Sequence, residues 1–561
     1  MDRLSSMFHL TRLLLPFILL LFPLSACQGR LTPTPQIPPA ETVARSFLQA
    51  WEQGNYQAMY RLLVPDVQDA ISEEEFIAAY SSAAKTMTLT CLTASLYSVL
   101  EEEESAKANF SVIFETLLAG SFRITNTLPL QLEGNHWGVL WSRACILPQL
   151  EGGNHLYLQP EVPMRGNIYD RSGRGLAVNG TRVVVGVVPE ELEDADRALF
   201  LLSRVLGGSI ASLREKYTSA PSHWFVPLGE ISAQEGAQHY DTLADLPGVV
   251  LREKSVRSYR DGELAPHVVG YMRTIGAEEV EKWREKGYPP DAMVGKAGLE
   301  AWGEEFLAGR RGGMLMVVSP NGELISKLAR RSPTRGRSIY TTLDRALQKR
   351  AVELLKEQRG AIVALDPHNG QVLALASSPT FDPSILIPPT SEEDWRKLTA
   401  LPGQPLLNRA TQGLYPPASV FKIVTMAAGM GTGFYTTSST FECKGVWNGL
   451  GDEWPMYCWV WPGQHGTLDL VTGLEVSCDV VFYKIGLRLH QQDPGLLPSY
   501  ARRFGLGKPT GLVGLPEATG LVPDDIWKPG DSVNLAIGQG DLLVTPLQIA
   551  VLISAVGNGG T

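Results

Sequence analysis

Residues 415–422 read Tyr-Pro-Pro-Ala-Ser-Val-Phe-Lys and lead into the apolar run Ile423–Ala428. The two prolines suit the first turn of a helix, and Ser419 and Lys422 then lie one turn apart on the same helix face. A serine at a helix N-terminus experiences a positive field that favours its alkoxide and the oxyanion that follows. A lysine enclosed by apolar groups loses its proton more readily and acts as a base. The stretch therefore predicts a serine nucleophile for acyl transfer.

A Ser-x-x-Lys tetrad has little weight alone, because the chain contains a second one, Ser82-Ala-Ala-Lys85. That copy lies in an alanine-rich helical stretch, where we expect a solvated helix face. The tetrad at Ser419 differs in its context, which includes the preceding Pro-Pro-Ala and the upstream segment Leu407–Thr411. The Ser-x-x-Lys arrangement is typical of penicillin-recognising enzymes, in some of which the identity of the base is disputed.

A second candidate element is Ser477-Cys478-Asp479, followed by Val480–Tyr483. A serine hydroxyl on a loop between two helices can relay protons to a leaving amine. The alternative is that Ser477 and Asp479 only cap a helix. His465, in the upstream turn Gln464-His465-Gly466, is predicted to be structural rather than catalytic.

Between residues 155 and 335 the chain carries four short loop and turn blocks in a fixed order. Arg165 and Asp170 flank a strand in the first block, and we expect their charge pair to pin it. With the tetrad at Ser419, this order and spacing resembles the class B penicillin-binding proteins, where such blocks form a pedestal that holds the catalytic domain. The blocks are Pro163–Gly173, Arg257–Tyr259, Ala265–Tyr271 and Gly295–Glu300.

The resemblance implies a peptidoglycan D,D-transpeptidase that requires no cofactor. Ser419 would attack the D-Ala-D-Ala carbonyl of a stem peptide and release D-alanine, and the acyl group would pass to an amine of a neighbouring stem. Lys422 and Ser477 would move the protons, and Asp479 stands where the family usually has asparagine. β-Lactams would acylate the same serine, and a glycosyltransferase is an expected partner. Two alternatives stay open: a non-catalytic or fragmentary scaffold, and a β-lactam sensor or hydrolase.

The family's third motif, Lys-Thr-Gly or Lys-Ser-Gly, does not occur in the 561 residues. Ala536–Gly540 and Thr545–Gln548 resemble the approach to that strand, so we expect the strand to lie beyond Thr561. The motif supplies half of the oxyanion hole in the family, and losing one donor of such a hole typically slows a reaction about 10²–10³-fold. We therefore expect penicillin to acylate the chain as given at least about 100-fold more slowly than an extended version.

The length of 561 residues predicts three or four domains and a multidomain α+β fold. The first block reads as short helices followed by a curved antiparallel sheet, which resembles the nuclear-transport-factor-2-like domain that precedes some transpeptidases. Gly134-Asn135 predicts a hairpin there. The last block predicts an α/β sandwich of the serine transpeptidase type, lacking its last strands. The expected divisions are a signal peptide (1–26), a proline-rich tether (27–40), the N-terminal domain (41–150), the pedestal or dimerisation domain (155–335) and the transpeptidase domain (336–561).

The N-terminus reads as an export signal. Met1–Arg12 is basic, and the apolar run Leu13–Leu24 is shorter than the roughly 20 residues that a membrane-spanning helix needs. Leu24-Ser25-Ala26-Cys27 resembles a bacterial lipobox, which would leave Cys27 as a lipid-bearing N-terminus. We expect an outward-facing protein anchored by lipid; the alternative is a plain signal peptide with a coincidental cysteine.

Charge and cysteine content limit the remaining functions. The 49 basic and 59 acidic residues give a net charge of −10, and no basic patch of the size that nucleic acid binding needs is visible. Disulfides are permitted outside the cell, and sequence proximity favours the pairs Cys91–Cys145 and Cys443–Cys458, with Cys478 a free buried thiol. The chain lacks the CxxC and HxxxH spacings of zinc sites, so no metal site is predicted.

Overall fold

A computed structural model describes residues 39–387, 392–524 and 528–560. The expected signal peptide, the lipobox cysteine Cys27 and nearly all of the tether lie outside these residues. In the part of the chain that is described, we find no helix long and apolar enough to cross a membrane. Contacts within the chain separate two compact units, one N-terminal and one that contains the chain from Gly152 onward together with Ala83–Cys91 and Phe114–Phe122.

The N-terminal block consists of four helices followed by a four-stranded sheet in the order β1-β2-β3-β4, which confirms the predicted order of short helices before a sheet. Aromatic side chains fill its core; the Trp51 and Tyr80 rings, for example, meet edge to face at 5.4 Å. The hairpin at Gly134-Asn135 is confirmed, because Glu133 pairs with His136. Pro65 begins the short third helix, since proline is well tolerated at a first helical position. The elements are α1 (Ala40–Glu52), α2 (Tyr56–Tyr60), α3 (Pro65–Ala70), α4 (Glu73–Met87), β1 (Leu89–Glu101), β2 (Ser105–Thr116), β3 (Gly120–Glu133) and β4 (His136–Val139).

The second block is built on a long strand, β7, which pairs with β6, β8 and β9. Helices α5, α6 and α7 pack against this sheet around Val185, Leu199 and Leu243. A separate antiparallel sheet has the order β13-β12-β5. The elements are β5 (His155–Glu161), β6 (Ile168–Tyr169), β7 (Gly175–Val187), α5 (Ala195–Leu206), α6 (Ile210–Thr218), β8 (Val226–Ser232), α7 (Ala233–Ala244), β9 (Val249–Tyr259), α8 (Pro266–Val269), β10 (Met272–Thr274), α9 (Val280–Arg284), β11 (Met293–Gly295), α10 (Gly298–Trp302), α11 (Glu304–Leu307), β12 (Gly312–Val318) and β13 (Leu324–Arg331).

The predicted charge pair between Arg165 and Asp170 is wrong. Arg165 binds Glu300 at 2.7 Å and Glu304 at 2.8 Å, whereas Asp170 binds Arg174 at 3.0 Å. Arg257 also binds Glu300, at 2.6 Å. The buried Glu300 carboxylate therefore joins three of the four sequence blocks, the first through Arg165, the second through Arg257 and the last, which contains Glu300 itself. Glu300 is far from Arg165 in the sequence, so proximity could not identify it as the partner.

The third block contains the helices that carry the candidate site. Strands Gly360–Leu365 and Val372–Ser378 pair antiparallel in a hairpin. Ile339–Tyr340 forms a two-residue strand, and the helix Arg345–Leu355 begins after its N-cap, Asp344. The elements are β14 (Ile339–Tyr340), α12 (Arg345–Leu355), β15 (Gly360–Leu365), β16 (Val372–Ser378), α13 (Glu392–Ala400), α14 (Lys422–Gly431), β17 (Thr440–Cys443), β18 (Val446–Trp447), β19 (Met456–Tyr457), β20 (Gly466–Asp469), α15 (Leu470–Glu475), α16 (Asp479–Gln492), α17 (Leu496–Arg503), α18 (Pro529–Ala536) and α19 (Pro546–Gly557).

The pedestal block and the third block share a hydrophobic core that includes Tyr259, Leu375 and Ala410. A polar contact reinforces this junction, because Nε2 of the buried His267 lies 2.7 Å from the carbonyl oxygen of Pro405. The segment that leads to Ser419 is thus anchored on the pedestal.

Candidate active site

Ser419 lies in a single 3₁₀ turn, Ala418–Phe421, that continues directly into α14. The predicted position at the start of a helix is confirmed. The side chain is exposed, so a substrate can reach it. The second tetrad also has the predicted environment, because Ser82 and Lys85 are both exposed on α4.

A close backbone contact fixes the turn that carries Ser419. Ala418 has φ of +51°, in the left-handed region that a side chain disfavours, and its N–H donates to the carbonyl oxygen of Gly538 at 2.9 Å. A Cβ atom on Gly538 would lie 2.1 Å from the carbonyl oxygen of Ala418. Only glycine fits there, and strain of this kind commonly accompanies functional sites.

The Lys422 side chain is fully buried, and its Nζ donates to three oxygen atoms. The acceptors are Oγ of Ser477 at 3.0 Å, the carbonyl oxygen of Ser477 at 2.9 Å and Oδ1 of Asp479 at 2.6 Å. Three acceptors match the three donors of an ammonium group. The structure therefore brings together Lys422, Ser477 and Asp479 as the sequence predicted.

Ser477 and Asp479 occupy the junction between α15 and α16. Ser477 has φ of +52°, a second strained position in the site. Oδ2 of Asp479 accepts the main-chain N–H of Trp459 at 2.9 Å. The alternative capping role is wrong: α16 has Cys478 at its N-cap, and among the described residues no side chain caps that helix end. Both carboxylate oxygens of Asp479 are instead used within the site.

Three cysteines and a histidine converge beside this junction. Sγ of Cys443 and Sγ of Cys458 each lie 3.6 Å from Nδ1 of His465, and the sulfur atoms of Cys458 and Cys478 are 3.9 Å apart. The four donor atoms all lie within 4.8 Å of one another. We call this group the Cys₃His cluster. Three sulfur donors and one imidazole nitrogen form a set typical of tetrahedral Zn²⁺ sites.

The cluster corrects the cysteine predictions. Cys443 and Cys458 are free thiols rather than a disulfide, whereas Cys478 is a free buried thiol as predicted and belongs to the same group. The spacing rules failed because a β-hairpin, a turn and a helix start bring the donors together. The predicted Cys91–Cys145 bridge is also wrong among the residues described, where Cys91 is on an exposed strand face and Cys145 is buried in a 3₁₀ turn.

The protonation of the cluster thiols is uneven. Burial acts to raise the pKa of Cys443, but hydrogen bonds from the main chain of His465 and Gly445 and from the neighbouring thiols lower it overall. Burial dominates at Cys478 and raises its pKa. Cys478 lies between Ser477 and Asp479 in the sequence, so the backbone of one cluster ligand is bonded directly to the two site residues.

The sequence did not reveal two contributors to the site, Trp459 and Gly538. Trp459 contributes a main-chain N–H, which leaves no trace in a residue pattern. The fit of Gly538 depends on a long-range contact with Ala418. The one signal in the sequence is the glycine-containing stretch Ala536–Gly540, which resembles the approach to a later strand and does not indicate the contact with Ala418.

Three family models match the chain in succession. They describe an NTF2-like N-terminal transpeptidase domain (residues 39–154), a penicillin-binding protein dimerisation domain (160–341) and a penicillin-binding protein transpeptidase domain (360–561).

Among curated relatives, the peptidoglycan D,D-transpeptidase MrdA of Escherichia coli K12 is 33% identical over 428 residues, which is 72% of this chain and 66% of the relative. MrdA of Salmonella typhimurium LT2 is 32% identical over 454 residues, 78% of this chain and 71% of the relative. The chain thus spans about two thirds of the length of these relatives.

Solved structures of proteins in cell-wall synthesis are also similar to this chain. PBP2 of Helicobacter pylori in complex with MreC has a TM-score of 0.61 at 28% identity, covering 72% of this chain and 77% of that chain. A peptidoglycan synthase complex described for its coordination of polymerization and crosslinking has a TM-score of 0.58 at 30% identity, with coverages of 73% and 72%.

Proposed function

We propose that this chain, which belongs to the class B penicillin-binding proteins, is a serine-type peptidoglycan D,D-transpeptidase. The observation that carries the proposal is the buried Lys422 ammonium, held between Ser477 and Asp479 at the base of the helix that presents Ser419. This is the arrangement that acyl transfer by an activated serine requires.

In the proposed reaction Ser419 attacks the D-Ala-D-Ala carbonyl of a stem peptide. For this step the Lys422 ammonium first gives up one proton, and its Nζ then takes the proton of the Ser419 hydroxyl as the Ser419 oxygen bonds to the carbonyl carbon. When the peptide bond to D-alanine breaks, the Ser477 hydroxyl, 3.0 Å from Nζ of Lys422, donates its proton to the departing amine and is reprotonated by Lys422. An amine of a neighbouring stem then attacks the acyl-enzyme, which forms the cross-link and frees Ser419.

Asp479 has a positioning role in this scheme. Its two oxygens connect Lys422 to the main chain of Trp459, which follows Cys458 of the Cys₃His cluster. A Zn²⁺ ion bound there would supply rigidity to this loop. Asp479 and the loop hold Nζ of Lys422 against Ser477.

We also propose a location and partners for the protein, the location from the sequence around Cys27 and the partners from the similar proteins. Cys27, in its lipobox-like context, carries a lipid and holds the protein on the outer side of the cytoplasmic membrane. The H. pylori relative was solved with MreC, and the other neighbour is a peptidoglycan synthase complex. A membrane-associated scaffold and a glycosyltransferase are accordingly the partners we propose.

The proposal is tested by labelling the chain with a fluorescent penicillin and mapping the adduct by mass spectrometry. We expect the adduct on Ser419 and none in Ser419→Ala. Ser82→Ala is the matched control, because it removes the serine of the other Ser-x-x-Lys tetrad, and it should label like the parent. A parent chain that stays unlabelled under prolonged incubation would favour the scaffold alternative.

A further inference from the structure

An unusually exposed set of aromatic side chains lies in the loop beside the candidate site. Four of them occur within residues 454–461, and we call them the aromatic loop. Single exposed apolar residues are normal on a protein surface, whereas a contiguous group marks a binding surface. The members and their exposed fractions are Trp454 (69%), Tyr457 (50%), Trp459 (65%) and Trp461 (49%).

Contacts within the chain hold three of these rings, those of Tyr457, Trp459 and Trp461, in place. The Tyr457 and Trp461 rings are 5.3 Å apart, and the Trp459 ring is 5.6 Å from His465 of the Cys₃His cluster. Nε1–H of Trp459 donates to the carbonyl oxygen of Val476 at 3.0 Å. Because its one polar group is already bonded to the protein, Trp459 offers a ligand only the apolar face of its ring.

The aromatic loop is directly connected to the catalytic groups. The N–H of Trp459 binds Asp479 at 2.9 Å, and the same carboxylate binds Lys422 at 2.6 Å. A polymer whose branch reaches Ser419 would therefore pass close to the exposed rings.

The charge of the loop narrows the choice of ligand. Residues 449–463 contain Asp452 and Glu453 and no lysine or arginine. Surfaces that bind anionic membranes combine aromatic residues with basic ones, so an anionic lipid surface is disfavoured. A pyranose ring, in contrast, has a neutral face of C–H groups that stacks on indole and needs no basic partner.

We propose that the aromatic loop is a docking surface for the N-acetylated amino-sugar backbone of peptidoglycan. The inference rests on the proposed function, since it assigns to the loop the glycan strand from which the stem peptide extends to Ser419. Stacking on Trp454 and Trp461 places the strand, and the rigid Trp459 fixes its distance from the site.

The test uses tetra-N-acetylchitotetraose, a β-1,4-linked oligomer of N-acetylglucosamine, titrated calorimetrically into the 561-residue chain. We expect saturable binding that Trp461→Ala weakens about tenfold, the effect of losing one stacked aromatic contact. Trp461→Phe keeps a ring and should retain most of the affinity. Trp224→Ala is the matched control, because Trp224 is also well exposed, at 60%, but belongs to the pedestal block, and it should bind like the parent.

Absence of oligosaccharide binding, or equal binding by Trp461→Ala, would overturn the docking surface. So would binding of phosphatidylglycerol vesicles that depends on Trp461, since that outcome assigns the loop to a membrane. Penicillin labelling of Ser419 is read separately. Labelling without sugar binding removes the docking surface and leaves the transpeptidase, and sugar binding without labelling supports the docking surface while contradicting the transpeptidase.

Discussion

Oδ1 of Asp479 lies 2.6 Å from Nζ of Lys422, whose side chain is fully buried. Because a buried cation depends on its partner, we expect Asp479→Ala to destabilise the transpeptidase block by about 3–5 kcal/mol, the usual cost of breaking a buried ion pair. Penicillin acylation should fall with it. Asp479→Asn keeps an oxygen for the Trp459 N–H and should lose less. Glu393→Ala, which breaks an exposed pair with Lys397, serves as the control in denaturant unfolding. Parent-like stability of Asp479→Ala would contradict the positioning role.

The Cys₃His cluster predicts a bound metal. Protein purified without chelator should contain about one zinc per chain by elemental analysis, as four protein donors suit a closed structural site. Cys443→Ser should lose the metal and lower the Tm by about 5 °C or more. Cys91→Ser, which changes an exposed cysteine outside the cluster, should retain both. A metal-free chain with a Cys443–Cys458 disulfide would refute the prediction.

We predict that the protein loses stability in acid because His267 is buried. Burial lowers its pKa to about 4; the hydrogen bond to Pro405 opposes this shift, and the charge of Arg409 adds to it. In the unfolded chain His267 has an ordinary pKa near 6.5. Between pH 4 and 6.5, therefore, His267 is protonated in the unfolded chain and neutral in the folded one. Stability from this group is thus complete above about pH 6.5 and falls by about 3 kcal/mol as the pH drops to 4.

The measurement for His267 is the free energy of unfolding against pH. His267→Gln should flatten the slope between pH 4 and 6.5, whereas the exposed His368, changed to glutamine, should leave it as in the parent. An unchanged slope in His267→Gln would show that other groups cause any acid sensitivity.

We predict that the stability of the pedestal depends strongly on the Glu300 carboxylate. It binds both Arg165 and Arg257, and the side chains of Arg257 and Glu300 are almost wholly buried. Glu300→Gln should cost about 3–5 kcal/mol of stability, because the buried Arg257 guanidinium loses its carboxylate partner while Arg165 keeps only Glu304. Glu161→Gln breaks the exposed pair with Arg330 and should cost less than about 1 kcal/mol. Similar unfolding curves for the two variants would disprove this ranking.

Cys27 predicts lipidation of the mature protein. Cys27→Ala should leave an unprocessed precursor that lacks lipid, and inhibition of lipoprotein signal peptidase should have the same effect on the parent. Mass spectrometry of the mature N-terminus distinguishes a lipidated Cys27 from cleavage of a plain signal peptide. A mature N-terminus at another residue without lipid would establish the plain signal peptide.

Local patterns were sufficient for those parts of the site that lie within one or two helical turns. Ser419 and Lys422 are related by helix geometry, and Ser477 and Asp479 flank one helix start, so their spacing carries the information. Partners brought together by tertiary folding were not predictable in this way. Glu300 replaced the expected partner of Arg165, and the four cluster donors come from separate elements without a recurring spacing.

The contact between Gly538 and Ala418 has a consequence for inhibitor design. Because a Cβ atom at residue 538 would collide with the carbonyl oxygen of Ala418, any substitution there displaces the turn that carries Ser419, the proposed nucleophile. We therefore expect that variants insensitive to bulky acylating compounds do not arise by enlarging residue 538.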